Sequence, residues 1–139
     1  MASAYVIFHK QPIQQGFLPI RLAASNGDFA GSTEANVYWD ELKFFADQLK
    51  PFPRSPGDKA LFSSGGDDDA WQSYLYLEAY ALETDGQAAL QVRLRRNEPE
   101  LQAGGAVFTI TTTLTSINTL GKLMSDWLAS DSDSLEVQL

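Results

Sequence analysis

Three groups of residues in this chain have types associated with catalysis or metal binding, and their spacing decides what each can do. His9 is the single histidine, and the chain contains no cysteine. Disulfides and thiolate metal sites are therefore excluded, and no second imidazole completes a metal set around His9. A serine nucleophile would need an elbow of the Gly-x-Ser-x-Gly kind, and none is present. His9 is read as a structural or surface residue. Asp67, Asp68 and Asp69 form a run that could attract a cation or a basic partner. A calcium loop needs acidic residues at alternating positions, a central glycine and a distal glutamate, so the run reads as a solvated acidic loop. Gly65-Gly66 and Gly104-Gly105 lack the Lys-Ser/Thr that follows a phosphate loop. The expectation is a non-enzymatic chain with no metal and no cofactor.

A fourth group is more informative. Tyr74, Tyr76, Glu78 and Tyr80 alternate along one β-prone segment, and Gln91, Arg93 and Arg95 along the next. Thr84-Asp85-Gly86-Gln87 joins them, and Asp-Gly suits the two central positions of a tight hairpin. That turn pairs Ala81 with Leu90, Ala79 with Val92 and Leu77 with Leu94 on an apolar face. The opposite face then pairs Tyr80 with Gln91, Glu78 with Arg93 as a weak ion pair, and Tyr76 with Arg95. A one-residue slip would mix the faces, so the alternation specifies which side is buried. Tyr and Arg combine a large contact area with a polar handle, as at interaction hot spots. The interface candidates are Tyr74, Tyr76, Glu78, Tyr80, Arg93 and Arg95, with Asp67, Asp68 and Asp69. The competing reading is a sheet face that simply meets water.

The elements that must position this hairpin follow from periodicity. Residues 5–9 are β-prone, and Leu18, Ile20 and Leu22 alternate with polar or small residues as in a half-buried strand. Ser25-Asn26-Gly27-Asp28 is a turn, and residues 29–37 return as a strand with Gly31 as a bulge. Trp39, Leu42, Phe45, Ala46 and Leu49 form one helical stripe, capped by Asn36 or a neighbour and stopped by Pro51 and Pro53. After a Pro-rich break over 51–58 come a short strand over 59–63, the hairpin, and a strand over 107–115. Ile117, Leu120, Leu123, Met124, Trp127 and Leu128 then form a second stripe, in a helix that begins near 116–119 and accommodates Gly121 at a cost of about 1 kcal/mol.

The predicted fold is α+β: a single antiparallel sheet of six to seven strands with two helices packed on one face. It comprises two similar strand-strand-strand-helix halves. Residues 1–139 are read as a single domain, with a first half of about 1–50, a second half of about 59–129 and an acidic, frayed tail over 130–139.

The chain has 139 residues, 44% hydrophobic, with a formal charge of −8. That is ample for a packed core. Net negative charge repels phosphate backbones, so nucleic acid is excluded as a partner and a basic protein favoured. No run is long enough for a membrane helix, and the N-terminal segment lacks a signal peptide's basic region. A cytoplasmic location without membrane contact is expected.

The order of elements, with Trp39-Asp40-Glu41-Leu42, Phe45-Ala46-Asp47-Gln48-Leu49, Gly86 in the hairpin and the segment from Phe108 to Leu128, resembles small bacterial immunity-like families of the WapI type and related domains of unknown function. The resemblance implies a non-catalytic protein-binding domain that neutralises a cognate toxin by occlusion, with a basic toxin domain as partner. The alternative function is a ligand-binding or homodimerising assembly module that uses the Tyr/Arg face.

Overall fold

Alternating apolar and polar residues determine which side of each strand is buried, but not which strands share a sheet. The computed structural model resolves that pairing over residues 3–66, 72–82, 85–97 and 103–139. The described elements run β1 (Tyr5–Lys10), β2 (Leu18–Ser25), β3 (Ala30–Val37), α1 (Trp39–Leu49), β4 (Lys59–Gly65), β5 (Ser73–Ala81), β6 (Gln87–Arg96), β7 (Gly104–Thr113), α2 (Leu114–Leu128) and β8 (Ser134–Gln138). They form two antiparallel four-stranded sheets, ordered β3-β2-β1-β8 and β4-β5-β6-β7. The predicted single sheet of six to seven strands is therefore wrong. The strands of each half pair among themselves, and the first sheet takes its fourth strand from residues expected to be a frayed tail. Those residues carry Val137, buried opposite Val6. Val137, with Leu135 and Leu139 partly buried against the core, and a free edge on β1 give the segment a partner that its polar composition conceals.

The two sheets meet face to face. β3 touches all four strands of the second sheet, so it runs across them. The contact is close at Gly31, where a Cβ would lie 3.1 Å from the Ala106 Cβ. Pairing of β2 with β3 continues through Gly31 opposite Ala24 without the expected bulge. The glycine serves the sheet-to-sheet approach instead. Thr33, fully buried, donates its hydroxyl to the Arg95 carbonyl at 3.0 Å, and Asn26 donates to the Thr109 carbonyl at 3.1 Å. These bonds satisfy polar groups that burial would otherwise penalise.

Helices cover the rest of the apolar surface. Leu42, Phe45, Ala46 and Leu49 of α1 are buried, as are Ile117, Leu120, Met124, Trp127 and Leu128 of α2, and the two helices pack on each other. The apolar face bearing Leu77, Ala79, Leu90 and Val92 is thus shared between the helices and β3, not covered by helices alone. α1 starts after Tyr38 without a side-chain cap. α2 starts earlier than expected, at Leu114, because the Thr113 hydroxyl accepts from the Ser116 N–H at 3.1 Å. At its other end Lys10 reaches from β1, its Nζ donating to the Trp127 and Ser130 carbonyls at 2.5 and 2.7 Å. The same ammonium lies 5.0 Å from the Trp127 ring centroid. A cation here neutralises the negative end of the helix dipole.

Candidate functional site

In the hairpin that carries the interface candidates, each β5 residue pairs with the β6 residue two positions earlier than the Asp85-Gly86 turn predicts. Leu82 N–H donates to the Gln87 carbonyl at 3.0 Å, and Ala81 faces Ala88, Ala79 faces Leu90 and Leu77 faces Val92. A shift of two leaves every side chain on its expected face and changes only its neighbour. Tyr76 therefore faces Arg93 and Tyr74 faces Arg95, while Glu78 faces Gln91. The predicted Glu78–Arg93 ion pair does not form.

What forms instead is a contact between Arg93 and Tyr76, with the Tyr74 ring tilted beside it. The Arg93 guanidinium lies 4.6 Å from the Tyr76 ring centroid, the range of a cation–π contact. Gln91 steadies it, its Oε1 accepting from Arg93 Nε at 3.2 Å and Nη2 at 3.0 Å. Tyr74 and Tyr76 have centroids 6.1 Å apart. Arg95 donates through Nε to Asn97 Oδ1 at 3.0 Å. Tyr76 donates its hydroxyl to the Glu78 carboxylate. That bond, followed by burial, pushes the Tyr76 hydroxyl above its ordinary pKa of 10.0, against the nearby charge of Arg93. Lys59 Nζ is 3.9 Å from Glu78.

All these side chains stand on the side of β4–β7 turned away from the first sheet. Their neighbours on β7 include Val107, opposite Arg93 and 68% exposed. The face is half-buried at each tyrosine and arginine yet covered by no described element. Among the described residues of this face, Lys59, Arg93 and Arg95 stand against the carboxylate of Glu78, a more basic balance than that of the chain as a whole. Such a surface can stack flat π systems and donate hydrogen bonds beside them.

The structure brings together Tyr74, Tyr76, Glu78, Tyr80, Arg93 and Arg95. Asp67, Asp68 and Asp69 lie outside the described residues. His9, the penultimate residue of β1, is exposed and lines a groove of about 710 Å³ that sequence reasoning missed. Arg21 and Glu34 of the first sheet also line it, with Ser73 and Arg96 of the second and Asp133 before β8. These residues come from well-separated segments of the chain. Only knowing that β1, β2 and β3 are sheet neighbours would have found them. Among the described residues no three His, Asp or Glu side chains converge as a metal site, and no helix is long and apolar enough to cross a membrane.

No family model matches the chain, and no curated protein does. Among solved structures, one described as the plant transcriptional regulator PBF-2 matches with a TM-score of 0.50 and 11% identity, covering 92% of this chain and 76% of that one. WHY3 from Arabidopsis thaliana matches with a TM-score of 0.48 and 13% identity, covering 92% and 82%. The first match overturns the expectation of an immunity protein with a basic toxin partner, and gives no support to the assembly module or homodimer. It also removes the exclusion of nucleic acid. Net charge sums over the whole surface, whereas a bound strand meets one face, and among its described residues the face above carries more basic than acidic side chains. At these identities, what the chain has in common with the plant regulator is its fold.

Proposed function

We propose that this protein binds single-stranded nucleic acid on the outer face of β4–β7, without turnover. The observation that carries the reading is the stacked pair of Tyr76 and Arg93, flanked by Tyr74, on a sheet face left uncovered. Unpaired bases expose flat faces that stack on aromatic rings and guanidinium planes, whereas bases inside a duplex do not. The likeness in fold to a transcriptional regulator fits a role on nucleic acid. The acidic remainder of the surface sets the character of binding. Few phosphates are neutralised, so stacking supplies most of the affinity, and the dependence on salt is shallow. The lack of cysteine suits a reducing compartment such as the cytoplasm.

Fluorescence anisotropy with labelled oligothymidylate, oligouridylate and a matched duplex tests this. The single strands should bind and the duplex should not. Base stacking is worth about 1–3 kcal/mol per base by alanine substitution, so Tyr76→Ala should weaken binding by roughly fivefold to 150-fold. Failure of the wild-type protein to bind either single strand, or equal binding of the duplex, would sink the proposal.

A further inference from the structure

The groove at the junction of the two sheets has a composition out of keeping with an acidic protein. Arg21 of β2 and Arg96 of β6 both line it, one from each sheet. Arg21 stands opposite Glu34 in the β2–β3 register, yet no ion pair joins them, and its guanidinium makes no hydrogen bond to any described residue. Arg96 is held in place from the first sheet. Its Nη2 donates to the Ser32 hydroxyl at 2.9 Å and to the Ser32 carbonyl at 3.3 Å. Both bonds use one nitrogen, so Nε and Nη1 keep donors for a ligand. Lys10 also lines the groove, but its ammonium is committed to the end of α2. The remaining charged groups there are the carboxylates of Glu34 and Asp133.

The groove adjoins the Tyr/Arg face. Ser73 and Arg96 form the last pair of the β5–β6 ladder and line the groove. Their neighbours Tyr74 and Arg95 form the next pair and point to the opposite side of the same strands. A chain stacked on Tyr74 reaches the groove only by passing round this end of the hairpin to the other side of the sheet, a path open to a long strand and closed to a very short one.

Resting on the single-strand reading above, we infer that the groove is a phosphate site, with Arg21 and Arg96 gripping a backbone phosphate of the strand as it leaves the sheet face. A forked guanidinium from each sheet suits a phosphate's oxygens better than a lysine would. Ser32 is a positioning residue for Arg96.

Two oligonucleotides separate the groove from the face: one of about four nucleotides and one of about 16, the span of site sizes on single-strand-binding sheet folds. Arg21→Gln, at an exposed position, should lower affinity for the long strand, leave the short strand unchanged, and flatten the logarithmic salt slope of the long strand by about 0.7. Glu34→Gln should strengthen binding of the long strand. In parallel, inorganic phosphate is titrated while the Nε–H resonances of Arg21 and Arg96 are followed by NMR. Should neither oligonucleotide bind while phosphate shifts both resonances, the phosphate site stands with free phosphate as its source and the single-strand reading fails. If the short strand binds but Arg21→Gln leaves the long strand unaffected, the inference falls and the face remains. Absence of both the Arg21-dependent length effect and the phosphate response also overturns it.

Discussion

Gly121 of α2 lies so close to Ala46 of α1 that a Cβ at position 121 would fall 2.6 Å from the Ala46 carbonyl oxygen. The same Cβ would meet the Leu49 Cβ at 2.6 Å and the Lys50 nitrogen at 2.9 Å. Two of those three atoms are backbone, so no side chain can move aside. The glycine weakens α2 intrinsically and in return lets the two helices touch.

Gly121→Ala should therefore destabilise the protein by about 1–3 kcal/mol, as overpacking does. Helix propensity alone would predict a gain of about 1 kcal/mol. Urea unfolding decides between them: the midpoint should fall with an unchanged slope.

Lys10→Met keeps the aliphatic stem of the side chain and removes the ammonium that serves the Trp127 and Ser130 carbonyls. Hydrogen bonds to charged groups contribute about 1.5–3 kcal/mol, and a loss of that order is expected in the unfolding free energy. Burial lowers the pKa of Lys10 while Asp131 and Asp133 oppose the shift. Removing those carboxylates together should lower the Lys10 pKa further, which NMR titration of its ammonium would report.

Asp47 accepts from Lys43 at 2.6 Å and lies 3.0 Å from Lys50. Its hydrogen bonds to Lys43 and then to Lys50 hold its pKa below the ordinary 3.8. The folded state thus favours the carboxylate. This contribution is present above pH 3.8 and is lost as pH falls through the lower folded value. Because the site is well exposed, Asp47→Asn should cost only about 0.2–1 kcal/mol at neutral pH. The difference from the wild type should vanish in strong acid, as read by thermal unfolding across pH.

Tyr76→Phe keeps the ring under Arg93 and removes only the hydroxyl that Glu78 accepts. Its affinity for single strands should match the wild type within about the error of a lost rim contact, whereas Tyr76→Ala should lose the stacking of a whole base. Arg93→Lys should also weaken binding, because an ammonium cannot stack as a plane. Anisotropy titrations of the three variants rank them.

The sequence made individual elements legible more readily than their assembly. Trp39, Leu42, Phe45 and Leu49 mark α1 through helical spacing, and the alternation from Tyr74 to Arg95 identifies the buried side of the hairpin. Register was less secure, because Asp85-Gly86 looks like a two-residue turn while the ladder closes at Leu82 and Gln87. The error was two residues, so the Tyr/Arg face kept its members and changed its partners. Sheet membership was not legible. Nothing in the spacing of β3 says that it crosses the second sheet, and the Gly31–Ala106 approach is a tertiary fact. β8 was hidden because only Val137 is buried and Leu135 half-buried, among serines and acidic residues. The Arg21–Arg96 groove depends on both of these features, and was hidden for the same reason.

Pairing of the last strand with the first has a consequence for synthesis. Tyr5 lies opposite Gln138, and β8 covers the side of β1 not occupied by β2. While the nascent chain is still emerging, the second sheet and both helices can assemble, but β1 keeps one row of backbone donors and acceptors unpaired. Such an edge invites pairing with another chain. The vulnerable interval lasts until residue 138 has cleared the ribosome and docked, so translation pauses between the segments that encode β1 and β8 should promote aggregation.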